Sequence, residues 1–560
     1  MEKPWLSHYE PQVPSTLEYP HRPLQANLEE SASRYPDASA TIFLDGKLTY
    51  RELNELTDRF AAALQTLGVR KGDRVAIYLA NCPQFVIGYY GTLKAGAIVV
   101  PFNPLYAARE VQHQLRDSGA EVMLAMSRFY PIVKQIRHNT ALRHVILTNI
   151  KEYFPSLTRL LFTVFRERKD GHHADISGDA NTHWFQGLLK NASARPVPVQ
   201  VMPGDTACLL YTGGTTGVPK GAELTHANLM SNAVMCKGWF YDACEGKEVT
   251  LAALPLYHSY GMTTCMNQSI HLAGAMVLIP DPRDLDGLMR NINKHRPTLF
   301  PGVPTMYVAF NNFPDIHKYD VRSIRACISG AAALPVEVQN RFQELTGARL
   351  VEGYGLSEAS PVTHGNPVYG ENRIGTIGLP WPDTDAKIVD LETGEEELPP
   401  GEIGELIIKG PQVMKGYWNM PDETANALRN GWLYTGDIAR MDEDGYFQIV
   451  DRKKDMIIAG GFNVYPREVE EVLYEHPKVQ EAVVAGIPDP YRGETVKAYV
   501  IVKEGEEATA GEIIQFCRGK MAKYKVPTAV EFRAELPKSI VGKILRRMLV
   551  EEEGQKAQSE

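Results

Sequence analysis

The residues with the clearest chemical potential are Tyr211-Thr212-Gly213-Gly214-Thr215-Thr216-Gly217-Val218-Pro219-Lys220-Gly221. Four glycines let backbone N–H groups converge on one point, three threonines add hydroxyl donors, and Lys220 adds positive charge. That is the chemistry of a loop that holds polyphosphate. A kinase-type P-loop is excluded: it needs Gly-Lys-[Ser/Thr] after its spacer, whereas Pro219 precedes Lys220 and Gly221 follows it. The proline also removes an amide donor where a P-loop uses one.

Three further stretches carry candidate site residues. Leu254-Pro255-Leu256-Tyr257-His258-Ser259-Tyr260-Gly261 follows a predicted strand, and its tyrosines and His258 form either a pocket wall or a hydrogen-bonded structural turn. Ala326 to Leu334 is a predicted strand running into small residues, Gly330 and Ala331 among them, which let a flat ring or an alkyl chain approach the backbone. In Glu352-Gly353-Tyr354-Gly355-Leu356-Ser357-Glu358, glycines bracket an aromatic ring suited to stacking on a nucleobase. Glu358 is a hard oxygen ligand suited to Mg²⁺.

The elements that must position these groups alternate in type. Arg74–Leu79, Ala97–Pro101, Ala120–Met126 and Val145–Leu147 read as strands, with a helix over Pro83–Ala95. Thr49 with Glu52 predicts a capping box, and Thr225 predicts a helix cap. Such alternation predicts an α/β fold, a parallel sheet with helices on both faces. Residues 385–450 have short strands between turn signals and predict a β-rich subdomain. The charged run Asp451-Arg452-Lys453-Lys454-Asp455 marks a boundary, giving domains 1–453 and 454–560, the second a small α+β unit. Residues 1–23 read as an extended arm and the chain from Glu551 as a polar tail. Lys151 to Lys169 predicts a helix with an apolar stripe flanked by arginines, which either packs on its own domain or meets anionic lipid.

Composition bounds the function class. A chain of 560 residues with 44% hydrophobic and 23% charged residues is that of a multidomain globular protein. A net charge of −9 without a basic tail argues against nucleic-acid binding. The seven cysteines are scattered and no CxxC occurs, so neither a zinc site nor a disulfide framework is expected. With no signal-peptide pattern and no long apolar run, a cytoplasmic location is expected, with a peripheral membrane contact kept open by residues 151–169.

The glycine–threonine loop resembles the phosphate loop of the acyl-adenylate-forming enzymes, in the form common among bacterial long-chain fatty acyl-CoA synthetases. Asn430-Gly431-Trp432-Leu433-Tyr434-Thr435-Gly436-Asp437 and Gly445 through Asp455 are similar to the fatty acyl-CoA synthetase signature. Pro537-Lys538-Ser539-Ile540-Val541-Gly542-Lys543-Ile544-Leu545-Arg546 looks like the C-terminal catalytic-lysine motif of that family. The resemblance runs from about residue 25 to residue 550. It implies ATP-dependent acyl-adenylate formation followed by transfer to coenzyme A, with AMP and pyrophosphate released. By motif, Thr212, Gly213, Gly214, Thr215, Thr216, Gly217 and Lys220 would hold phosphates. Glu358 and Thr212 would hold Mg²⁺, and Gly330, Ala331, Glu352, Gly353 and Tyr354 would line the adenine. Asp437 and Arg452 would meet the ribose, and Lys543 the carboxylate and α-phosphate. Lys454 would be the hinge, Gly460 and Gly461 would face the coenzyme A tunnel, and Tyr257, His258, Tyr260 and Gly355 would line the acyl pocket.

The partners implied are fatty acid, ATP and coenzyme A, with a homodimer as a further option. A medium-chain or aryl acid–CoA ligase is the alternative substrate reading. A peptide-synthetase adenylation domain would need a carrier domain, and a luciferase would share every motif. A non-catalytic acyl-binding protein would be expected to lack Lys543 or Glu358, and both are present. A gating tryptophan found after the histidine motif in some long-chain enzymes is Met262 here.

Overall fold

The computed structural model describes residues 3–212, 219–459, 462–489, 493–538 and 544–559. An eight-stranded sheet lies at the centre. Its parallel part is ordered Thr206–Thr212, Ile98–Pro101, Arg74–Tyr78, Val122–Met126, His144–Thr148 and Thr182–Trp184. The inner strands Ile98–Pro101, Arg74–Tyr78, Val122–Met126 and His144–Thr148 are mainly apolar and buried, as parallel strands covered on both faces must be. Lys220–Thr225 and Gly416–Tyr417 extend one edge in antiparallel pairing. A second layer pairs Val249–Ala252, Ala275–Leu278 and Ser39–Phe43 in parallel. Leu299 bridges Thr250 and Ala326, linking that layer to the parallel pair Ala326–Ser329 and Arg349–Gly355.

The capping box at Thr49 is present on helix Tyr50–Thr66, and the Thr225 side chain caps helix His226–Trp239. The β-rich segment is an antiparallel sheet of Asp385–Val389, Gly404–Lys409, Leu428–Arg429, Trp432–Met441 and Phe447–Arg452. Beyond it, Ile457–Ala459, Phe462–Val464, Val479–Asp489, Gly493–Val502 and Ala529–Phe532 form a five-stranded sheet. That sheet packs with helices Pro466–Tyr474 and Ala510–Arg518 around a core of its own, which includes Val469, Leu473, Val484, Ala498 and Ile513.

Three expectations need correction. The N-terminal arm is not simply extended: Pro4–His8 is a 3-10 helix whose Trp5 is 1% exposed and packs on Phe447 at 6.3 Å. A side chain at Gly445 would strike the Trp5 backbone, so the glycine admits the arm. The C-terminal tail is helix Arg546–Ser559, seeded by Leu549, which is buried against Val483, Ala485 and Tyr499. Lys151 to Lys169 is not one helix: Pro155 separates a 3-10 turn, Ile150–Tyr153, from helix Ser156–Phe165. Tyr153, Phe154 and Phe162 of its apolar stripe pack on the domain, whereas Leu157, Leu160, Leu161, Val164 and Phe165 face solvent.

Candidate active site

The glycine–threonine segment joins two antiparallel strands. Thr212 pairs with Lys220 and Tyr211 with Gly221, so both ends of the loop are held by one ladder. Gly213, Gly214, Thr215, Thr216 and Gly217 lie outside the described residues. Sequence reasoning had no signal for the hairpin, because the run Lys220–Thr225 is short and leads straight into the capped helix. Lys220 is buried and ion-paired with Glu423, with its ammonium 5.3 Å from the centre of the Tyr417 ring. The Tyr417 hydroxyl donates to the Glu358 carboxylate at 2.9 Å. Glu358 sits in a 3-10 turn, Ser357–Ala359, whose position is fixed by the Met414 N–H donating to the Glu358 carbonyl at 2.7 Å. Thus Lys220 and Glu358, distant in sequence, flank one tyrosine. Neither Tyr417 nor Glu423 was found from the sequence.

The strand Arg349–Gly355 supplies Glu352, Gly353, Tyr354 and Gly355 in succession. It runs parallel to Ala326–Ser329, with Ser329 opposite Glu352, so Gly330 and Ala331 emerge beside it. Carboxyl ends of parallel strands are where open α/β sheets bind ligands. Ala331 adopts φ +69°, and Ala331, Ala332 and Ala333 are exposed there. Gly353 and Gly355 are required by close approach: an added Cβ would lie 2.5 Å from Ile328 Cδ1 and 2.1 Å from the Pro361 carbonyl oxygen, respectively.

Glu352 is buried, and its carboxylate accepts from the Leu334 N–H at 3.1 Å. Burial pushes its carboxyl up to about 7, against smaller lowering by that N–H and by Arg467. The Tyr354 hydroxyl donates to Asp437 at 2.5 Å, and Arg452 Nε lies 3.3 Å from the same carboxylate. Asp437 faces Arg452 across the antiparallel ladder, so the backbone register itself sets this pair. Burial first, then the Asp437 charge, raises the Tyr354 phenol well above its ordinary value, keeping it a donor.

His258 turns inward on its own backbone: its Nδ1 accepts from the Tyr260 N–H at 3.3 Å, capping Ser259–Gly261. The Tyr260 hydroxyl donates to the Ile328 carbonyl at 2.7 Å, tying this turn to the strand that leads into Gly330. Tyr257 is half-buried.

Lys454 occupies a turn between Phe447–Arg452 and Ile457–Ala459. On one side Lys453 pairs with Glu405 at 2.9 Å. On the other, Arg546 pairs with Asp455 at 2.9 Å and with Glu470 at 2.6 Å. Gly460, Gly461 and Lys543 lie outside the described residues. No cluster of three or more potential metal-ligating His, Cys, Asp or Glu side chains occurs among the described residues. The seven cysteines are unpaired.

The family profile described as "AMP-binding enzyme" matches residues 28–418, and its C-terminal domain profile matches residues 468–543. The chain belongs to the AMP-binding enzyme family. A relative in Bacillus subtilis named long-chain-fatty-acid–CoA ligase is 51% identical, covering 99% of this chain and 98% of its own. A relative of the same name in Escherichia coli is 42% identical over the same shares. The crystal structure of an ATP-bound RpMatB–BxBclM chimera superposes with a TM-score of 0.84 at 30% identity, covering 95% of this chain and 99% of its own. The mixed α/β architecture, with a large N-terminal part and a small C-terminal one, is therefore that of this family of ATP-using enzymes.

Proposed function

We propose that the protein activates a long-chain fatty acid with ATP and transfers the acyl group to coenzyme A. A carboxylate oxygen attacks the α-phosphorus and pyrophosphate leaves. The coenzyme A sulfur then attacks the acyl carbonyl, and AMP leaves with the bond electrons. The nucleotide half is supported by one observation above the others: Tyr354 and Arg452 both bear on the Asp437 carboxylate. That arrangement holds a carboxylate acceptor in place for a vicinal diol. The long-chain half is supported by the full-length relatives named for that activity.

Within this reading, Thr212, the loop 213–217 and Lys220 cradle the β- and γ-phosphates. The Lys220 ammonium, now paired with Glu423, exchanges that carboxylate for phosphate oxygens. Gly330, Ala331, Glu352, Gly353 and Tyr354 enclose the adenine, and Arg452 joins Asp437 at the ribose. Tyr257, His258, Tyr260 and Gly355 border the acyl group.

Glu358 and Thr212 are hard oxygen donors, and one carboxylate with one hydroxyl is the sparse set that suits Mg²⁺ shared with phosphates and waters. Bound there, Mg²⁺ supplies positive charge against the phosphate oxygens. Lys543 supplies the charge at the reacting carboxylate, where two anions must meet. Lys454 is the pivot that lets one site serve both half-reactions, and Gly460 and Gly461 border the thiol's approach. The boundary between the two domains falls at this pivot.

The test is a product balance with palmitate, ATP and coenzyme A. Palmitoyl-CoA and AMP in equal amounts are expected. ADP as the nucleotide product, or AMP release without thioester, would contradict the proposal.

A further inference from the structure

Helix Ser156–Phe165 presents its apolar side chains to water. Leu157, Leu160, Leu161, Val164 and Phe165 are 69%, 60%, 49%, 65% and 68% exposed. Their spacing of three and four residues puts them on one face. Of the nineteen exposed large apolar side chains among the described residues, five stand on this one helix. Scattered exposed leucines need no explanation, but a contiguous apolar face does.

The helix is firmly seated. Phe162 meets the rings of Phe154 at 5.5 Å and His172 at 5.7 Å, and Phe154 in turn meets Phe43 at 5.7 Å. Just past the helix, Glu167 takes Lys151 at 2.6 Å and the Asn149 amide at 2.7 Å. One side chain therefore faces the body while five face out.

Charge identifies what covers that face. Residues 156–170 contain Arg159, Arg166, Arg168 and Lys169 against Glu167, which pairs with Lys151, and Asp170, which pairs with Arg166 at 2.9 Å, in a chain whose net charge is −9. Arg159, Arg168 and Lys169 are exposed. A second copy packed face to face would bring two copies of the same net-positive patch together, since a two-fold contact repeats the same surface. An anionic bilayer offers apolar chains to the leucines and negative headgroups to the arginines. Ten residues are too few to cross a bilayer, so the helix lies in its surface.

We propose that helix Ser156–Phe165 docks the protein on anionic lipid membranes. The inference stands on exposure and charge; only its purpose, collecting a substrate that dissolves in the same bilayer, rests on the long-chain reading above.

The experiment is co-sedimentation of the full chain with vesicles of equimolar phosphatidylglycerol and phosphatidylcholine, against phosphatidylcholine alone. Wild type should bind the anionic vesicles more tightly. The double variant L160S/F165S should partition at least about tenfold less. R159E and R168E should each weaken anionic binding by about fivefold or more and lose that effect at high salt. ATP–pyrophosphate exchange on soluble octanoate should be unchanged in every variant, because none of these residues belongs to the site. Wild type that ignores anionic vesicles, or L160S/F165S that binds like wild type, overturns the inference. A lipid-free wild-type dimer that L160S/F165S converts to monomer overturns it in favour of a second copy. A protein that binds vesicles as expected but activates no fatty acid supports the docking and contradicts the proposed function.

Discussion

At the scale of single residues, the candidate site is built around carboxylates held by specific partners. Tyr354 steadies Asp437 by a hydrogen bond to a charged acceptor, an interaction worth about 1.5–3 kcal/mol. Tyr354→Phe should therefore raise the KM for ATP at least about tenfold with little change in the KM for fatty acid, measured in steady-state assays. Glu352 carries a second consequence. Its folded carboxyl titrates at about 7, above its ordinary 4.5. Between those values the unfolded chain is ionised while the folded one keeps its proton. The stabilisation is thus full below pH 4.5 and is lost as pH rises through about 7, amounting to about 3 kcal/mol. Glu352→Gln should flatten the fall in Tm across that window; a profile parallel to wild type would show that Glu352 is ionised throughout. Lys543→Ala should slow adenylate formation about 10²–10³-fold, as loss of a preorganised donor does, while largely sparing thioester formation from supplied acyl-adenylate. Paired half-reaction rates on that variant check this. The types of these residues were legible in the sequence because each sits in a compact motif. Their pairings were not, and Glu423 was missed altogether: Tyr354 and Asp437 are 83 positions apart, and Lys220 and Glu423 are 203 apart. No local pattern marks a contact that the fold creates.

At the scale of elements, strands with apolar runs and helices with polar caps were readable, since Thr49 and Thr225 cap as their sequences require. The misread elements are those decided by tertiary contact. Trp5 gives the N-terminal arm a buried anchor, and Leu549 does the same for the last helix. The stripe on Ser156–Phe165 has the periodicity of a packed helix, and periodicity alone does not say what covers it. The turn at Lys454 lies between Lys453–Glu405 on one side and the Arg546 ion pairs on the other. If Lys454 is the proposed pivot, fixing φ there with Lys454→Pro should slow thioester formation while sparing adenylate formation. Stopped-flow measurement of each half-reaction distinguishes this from misfolding, which would depress both.

At the scale of the whole molecule, the chain joins a candidate nucleotide site at the carboxyl ends of the Ala326–Ser329 and Arg349–Gly355 strands, a small C-terminal unit behind a charged turn, and a helix with an exposed apolar face on the large part. The fold class followed from alternation of strands and helices, but the depth of an acyl pocket is set by side chains brought together from many elements, so chain length is not written in any short motif. The central claim is that a long-chain carboxylate is activated by adenylation before coenzyme A takes part. The most direct measurement is ATP–pyrophosphate exchange without coenzyme A across a panel of carboxylates. Exchange should be carboxylate-dependent and rise from octanoate to palmitate. Absence of exchange with every fatty acid, or a strong preference for benzoate or coumarate, would contradict the account.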